Sequence, residues 1–379
     1  MSTMRSTPRA AVLLAGLAAL SCGGQAAPAQ TPAAPAREPI ATASTPVAVE
    51  PAPEAPAPKP SPQSLVQAAT KGLADALGAR DAGKAASFFA DDASAASYGG
   101  WEAHGRDEIA KRLQEFFAAF GDAKTVVMRA WTKGDIVVEE SAWAGTMTGD
   151  FMGRTATHAP VGQLRVDVLV FDADGRVKEL REYADDAGLL AQMSGKKDAP
   201  PVPLIPTNAP SVHVAAESPE DDKLAAWGRA LGEGDAGAVA AGLADDSDAW
   251  VSFDDKPATR GKKALGKQIA GWTKAFPDAK WTTTASWGID GFAIVEHTMT
   301  GTQKGPLGVL KASNKPVTSW HWLTIVQPDA EAQIHHVWAY ANLVELLRQT
   351  GALDALATKP RRAAGRDTAK VPPAAPPGH

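Results

Sequence analysis

The chain repeats itself, and the repeat is the size of a domain. Leu77-Gly78-Ala79-Arg80-Asp81-Ala82-Gly83 returns as Leu231-Gly232-Glu233-Gly234-Asp235-Ala236-Gly237, and Ala90-Asp91-Asp92 returns as Ala244-Asp245-Asp246. Phe120-Gly121-Asp122-Ala123-Lys124 answers Phe276-Pro277-Asp278-Ala279-Lys280, Trp131 answers Trp287, and Gly145-Thr146 answers Gly301-Thr302. Leu189-Leu190-Ala191-Gln192 and Leu346-Leu347-Arg348-Gln349 close the two units. Such a period exceeds the roughly 20–50 residues of solenoid units. Each copy, residues 63–195 and 216–354, is long enough to bury its own core without metal or disulfide. Chemistry present in one copy and absent from the other is then visible within one chain.

The flanks carry a different message. Arg5 and Arg9 precede the apolar run Ala10 to Leu20, which ends at Ser21-Cys22-Gly23. Such a run is too short for a spanning helix and reads as a secretory signal. Leu17-Ala18-Ala19-Leu20-Ser21-Cys22 resembles a bacterial lipobox, so residues 1–22 are expected to be a lipoprotein signal peptide with Cys22 lipidated. Gly23, where an inner-membrane signal prefers Asp, points to the outer membrane of a bacterial cell envelope. Cys22 is the single cysteine, so no disulfide is expected. Residues 23–62 alternate Ala and Pro, the composition of a disordered, extended tether. A second Pro-rich stretch, 196–215, is expected to link the copies, and residues 355–379 to form a disordered tail. Net charge is −5, and the basic clusters are pairs such as Lys196-Lys197 and Lys262-Lys263. Without stacking aromatics beside them they read as solvated surface, and no nucleic-acid partner is expected.

Within each copy the apolar spacing changes from helical to alternating. Leu65, Ala69, Leu73 and Leu77 make one helical stripe, as do Leu224, Trp227 and Leu231. Ile109, Leu113, Phe116 and Phe120 make another, matched by Leu265, Ile269, Trp272 and Phe276. Val126–Trp131, Ile136–Met147, Gln163–Phe171 and Val177–Ala184 then read as strands, and Ala187–Met193 as a closing helix. In Gln163–Phe171, Leu164, Val166, Val168 and Val170 alternate with Arg165 and Asp167, so one sheet face is oily and the other mixed. Helices followed by antiparallel strands describe an α+β fold.

Gly145-Thr146-Met147-Thr148-Gly149-Asp150-Phe151-Met152-Gly153, Thr157-His158-Ala159-Pro160-Val161, Tyr183-Ala184-Asp185 and Leu189-Leu190-Ala191-Gln192 together resemble the SnoaL-like branch of the NTF2-like superfamily. The second copy carries the resemblance through Gly301-Thr302-Gln303-Lys304-Gly305, Lys315-Pro316-Val317 and Leu346-Leu347-Arg348-Gln349. The resemblance implies two tandem conical α+β barrels, each a curved antiparallel sheet on helices around an apolar pocket. In polyketide cyclases of that branch a late Asp is the acid/base of an intramolecular aldol closure, chemistry that needs no metal or cofactor. Asp185, seven residues before Gln192, matches it. A carboxylate in an apolar cavity gains basicity. Asn342 stands at that place in the second copy, and an amide takes no proton at neutral pH. His158 stands where the family turn carries Gly, and Met147 where His is common. Asp185 as a helix cap is the bland alternative.

Other motifs lead nowhere. Gly261-Lys262-Lys263-Ala264-Leu265-Gly266-Lys267-Gln268 nearly spells a P-loop but lacks the final Ser/Thr and a preceding strand. His335-His336, His297 and His321 have no carboxylate motif beside them, and no metal site is expected. The second copy holds eight of the eleven tryptophans. The expected pocket residues are Tyr183, His158, Trp131, Asn342, Tyr340, Trp338 and Trp287, with aromatic core or an interface between copies as the alternative. Three functions follow: an envelope lipoprotein binding a small apolar molecule with a silent second domain; a cyclase, isomerase or hydrolase acting through Asp185; or an adaptor with vestigial pockets. The two copies are expected to pair as an intramolecular pseudo-dimer.

Overall fold

The computed structural model describes residues 62–197, 199–208, 210–214, 230, 235–253, 258–308 and 310–353. All of them fall in one compact unit, Pro58–His379. The signal with Cys22, the tether, the tail and the helix expected at Leu224, Trp227 and Leu231 lie outside the described residues.

The first copy runs α1 (Pro62–Gly78), α2 (Ala82–Ala86), β1 (Phe89–Ser97), β2 (Trp101–His104), α3 (Arg106–Ala119), β3 (Lys124–Lys133), β4 (Ile136–Thr146), β5 (Pro160–Phe171), β6 (Val177–Ala184) and α4 (Asp186–Met193). A linker strand, β7 (Ser211–Val214), follows. The second copy runs α5 (Ala236–Ala241), β8 (Leu243–Val251), β9 (Thr259–Arg260), α6 (Lys262–Ala275), β10 (Lys280–Ile289), β11 (Phe292–Thr302), β12 (Pro316–Pro328), β13 (Ile334–Ala341) and α7 (Leu343–Thr350). The sheets are ordered β2-β1-β6-β5-β4-β3-β7 and β10-β11-β12-β13-β8-β9. Apart from β7, the two orders are the same.

Three features differ from the sequence reading. The sheets are mixed rather than wholly antiparallel, because β1 joins β6, and β8 joins β13, in parallel. Strands β1 and β8 escaped the pattern because Ala, Asp and Ser dominate them, residues poor in β-propensity. The linker is more than a spacer, since β7 pairs in parallel with β3.

The repeated motifs are scaffold. Asp81 and Asp235 cap α2 and α5 by accepting from backbone N–H groups of the first turn. Asp122 accepts from Thr146 N at 2.7 Å, and Asp278 from Thr302 N at 2.9 Å, fastening the chain after α3 or α6 to the end of the next hairpin. Those hydrogen bonds hold both carboxyls below their ordinary range. Gly149 and Gly305 lie where a Cβ would strike the backbone carbonyl of Ala118 or Lys274, so the helix end and the loop meet only through glycine.

Each sheet has two employed faces. Val137, Leu169 and Phe171 pack under the helices with Val66, Ala69, Leu73 and Ile109. On the other face Trp131, Val138, Val166, Val168 and Tyr183 share one core with Ile289, Ile294, Leu323, Ile325, Trp338 and Tyr340 of the second copy. The oily face of β5 therefore forms a seam between sheets. Its mixed face, Arg165 and Asp167, turns inward beneath the helices.

Candidate functional site

The late acid and its amide counterpart both lie at the seam. Asp185 caps α4, accepting from Ala187 N at 3.3 Å and Gly188 N at 2.9 Å, and it also accepts from Leu343 N of the other copy at 3.3 Å. Asn342 caps α7 from Val344 N at 3.1 Å and accepts from Asp186 N at 3.3 Å. Each cap thus reaches the first N–H of the opposite helix. Two tyrosines repeat the exchange: Tyr183 donates to Glu296 at 2.7 Å, and Tyr340 donates to Glu140. Burial first, then the facing glutamate, raises both phenols well above their ordinary value. The charges are balanced differently. Arg181 crosses the seam to Glu296 at 2.8 and 2.9 Å, whereas Arg129 pairs with Glu140 of its own copy and lies 3.8 Å over the Trp338 ring.

Most residues expected in a pocket are spent on this seam. Trp131, Tyr183, Trp338 and Tyr340 are in its core, Trp287 packs at its margin, and Asn342 caps α7. His158 is exposed on a turn with φ of 55°. None lines the large cavity described below. Alternation in a strand assigns faces but not what covers them, and a seam and a pocket both select buried aromatics with few polar groups. Asp185 borders a cleft of about 90 Å³, together with Gln192, Pro200, Trp250 and Phe253.

The first copy's inward face carries ions. Arg165, on central strand β5, lies 3.1 Å from both Asp167 and Glu182 and donates to Ser141 Oγ at 3.2 Å. Its side chain remains 20 % exposed. Burial, opposed by Arg165, pushes Asp167 up to about 7. Burial and the charge of Asp167 push Glu139 to about 7. Asp186 joins the group, accepting from Gln163 and, at 2.8 Å, from Asn342; burial and then Glu182 raise it to about 6. Trp101 and Arg112 close the rim, with Trp101 Nε1 donating to Glu182 at 3.4 Å and Arg112 5.3 Å over the indole. Sequence reasoning passed over these residues, although Arg165 and Asp167 alternating within an apolar strand were the signal.

The second copy's inward face has the same lattice in apolar form. Cross-strand neighbours Ser141 and Arg165 become His297 and Trp322, and Asp167 and Glu182 become Thr324 and Ala339. A cavity of about 260 Å³ opens there, walled by Leu265, Trp272, Phe276, Trp281, Met299 and Trp322 with His297. Among the described residues none lining it is charged. Burial alone pushes His297 down to about 3, so its imidazole is neutral at physiological pH. The other histidines are engaged elsewhere: His335 with Asp246 and Asp329, His336 with Asp248, and His321 with Glu345. Among the described residues no group of three or more His, Cys, Asp or Glu is placed to hold a metal ion.

Two α+β domains of one topology, helices on one face and a shared seam on the other, define the class of protein. Its family follows from direct comparison. A family model of SnoaL-like polyketide cyclases matches residues 67–193, and a model of SnoaL-like domains matches residues 224–327. The chain carries two SnoaL-like domains in tandem. Similar solved structures include a putative SnoaL-like polyketide cyclase from Jannaschia sp. CCS1, 16 % identical over 35 % of this chain and 95 % of that one, with a TM-score of 0.32. IdmH, a putative polyketide cyclase from Streptomyces antibioticus, is 24 % identical over 34 % and 97 %, with a TM-score of 0.30. An LEH-like epoxide hydrolase of M. tuberculosis is 19 % identical over 35 % and 90 %, with a TM-score of 0.29. No curated protein matches the chain.

Proposed function

We propose that the chain is a small-molecule receptor whose second domain binds an apolar ligand without turning it over. The cavity of about 260 Å³ between α6 and the inward face of β11 and β12 carries this reading. Apolar walls with a few polar groups are the usual makeup of ligand sites. Native mass spectrometry of the purified protein tests it, with a co-purifying small molecule expected and lost in Ala339→Phe, which fills the cavity. An intact cavity that takes up no apolar compound would overturn the reading. The reciprocal caps and Tyr–Glu exchanges support treating the two domains as an intramolecular pseudo-dimer. The sequence pattern at Cys22 supports an envelope lipoprotein of the outer membrane; acyl labelling is expected in the native chain and lost in Cys22→Ala, and labelling that survives the substitution would overturn this reading.

A second reading is acid–base turnover of the cyclase, isomerase or hydrolase type in the first domain. The observation in its favour is a set of inward carboxyls near neutrality around Arg165, able to give and take protons at pH 7. Asp185, matched to the family's acid, is held as a cap at the seam. Turnover that survives Asp185→Asn but not Asp167→Asn would place the chemistry on the inward face; the opposite pattern would return it to Asp185.

A further inference from the structure

The second-domain cavity is lined mainly by aromatic and aliphatic side chains, with Gln268, Thr273, Thr324 and His297 as its polar side chains. His297 is 2 % exposed, edge-on to Trp281 (centroids 5.0 Å apart, 70°) and nearly parallel to Trp322 (6.4 Å, 15°). His297 Nδ1 and Trp322 Nε1 are buried, and neither has a partner among the described residues. Native interiors rarely leave such groups unmet. The contrast with the first domain is direct, because the equivalent pair, Ser141 and Arg165, hydrogen-bond to each other. At this pair of positions the unmet nitrogens belong to the cavity-bearing copy.

Resting on the receptor reading above, we infer that this cavity takes an uncharged, two-ring-sized apolar molecule bearing one hydroxyl or carbonyl, held by His297 and Trp322. Chemistry sets each part of that description. A hydroxyl accepts from the indole N–H and exchanges a hydrogen bond with a neutral imidazole, and a carbonyl accepts from either N–H. An ionised ligand would enter a wall with no charged residue to pair with it, which is strongly disfavoured. Size follows from volume: a cavity of roughly 150 Å³ holds one benzene, so this one has room for a second ring.

Calorimetric titration of the full chain at pH 7.5 with 2-naphthol, naphthalene and 2-naphthoate tests the inference. We expect 2-naphthol to bind about tenfold tighter than naphthalene, the worth of one neutral hydrogen bond, and 2-naphthoate to bind weaker than 2-naphthol by at least that factor. His297→Leu should bring 2-naphthol to the level of naphthalene while leaving naphthalene unchanged. Trp322→Phe keeps the wall, removes the N–H, and gives the same trend if His297→Leu does not fold. Equal binding of 2-naphthol and naphthalene, tightest binding of 2-naphthoate, or a preference that survives both variants would overturn the inference while apolar binding stands. Failure of all three probes to bind would overturn it together with the receptor reading.

Discussion

The inward faces of the two copies occupy the same lattice and hold opposite chemistry. Arg165, Asp167 and Glu182 fill it in the first, and Trp322, Thr324 and Ala339 fill it in the second. Everything the copies share in sequence, from the capping aspartates to the close-contact glycines, maintains the frame. Everything that distinguishes them as sites lies on the inward strands. Duplication here preserved a container and changed its contents.

The strongest way to break this comparison is to remove the ion that balances the first copy's inward carboxylates. Arg165→Met leaves Asp167 and Glu182 buried without their cation, and should cost about 3–5 kcal/mol in chemical denaturation. A loss below about 1 kcal/mol would mean that the cluster is solvated.

Acidity separates the copies next. Glu139 and Asp167 have folded values near 7, above the unfolded value near 4, so their protonated forms favour the native state. Their contribution is complete below about pH 4 and is lost as pH rises through 7. His297 runs the other way. Its folded value near 3 lies below the unfolded value near 6.5, so the second domain loses stability as pH falls from about 6.5 towards 3. Between pH 4.5 and 7.5 each effect is on the order of 3 kcal/mol, and domain-resolved hydrogen exchange at those two values should show protection shifting between the copies. Parallel changes in both would refute the assignment.

The seam yields smaller numbers. Tyr340→Phe removes a donor to buried Glu140 and should cost about 1.5–3 kcal/mol, with Tyr183→Phe giving a similar loss on the other side of the seam. Unequal losses would show that the different arginine pairing governs each side. Smallest of all, Asp185→Asn copies the second domain's cap into the first. Asn and Asp cap equally well, so thermal unfolding should move by less than about 0.5 kcal/mol.

Much of the frame was legible before any coordinates. The stripes Ile109–Phe120 and Leu265–Phe276 fall on α3 and α6, and the four strand runs of the first copy fall on β3 to β6. Family motifs located the late Asp. What escaped was orientation. The alternation in β5 separated Val166 and Val168 from Arg165 and Asp167 correctly, yet an oily face is equally fit to meet a helix layer or a second sheet. With the oily face assigned to pockets, Trp131, Tyr183, Trp338 and Tyr340 became ligand candidates, and the ions beneath the helices went unnoticed. Asp186, next to Asp185, accepts from Gln163 and Asn342 and lies within the field of Glu182. His297 carried no local signal, since its meaning depends on the strand facing it.

Strand β7 has a consequence for how the molecule can be divided. Ser211–Val214 precedes the second copy in the chain but completes the sheet of the first, and its His213 stacks on Trp131 while pairing with Asp290 of the second at 2.8 Å. A gene fragment ending at residue 195 would strip β3 of its neighbour and leave a bare row of main-chain donors and acceptors, the kind of edge that recruits other chains. The two halves share a border that neither owns, and a cut anywhere along it wounds both.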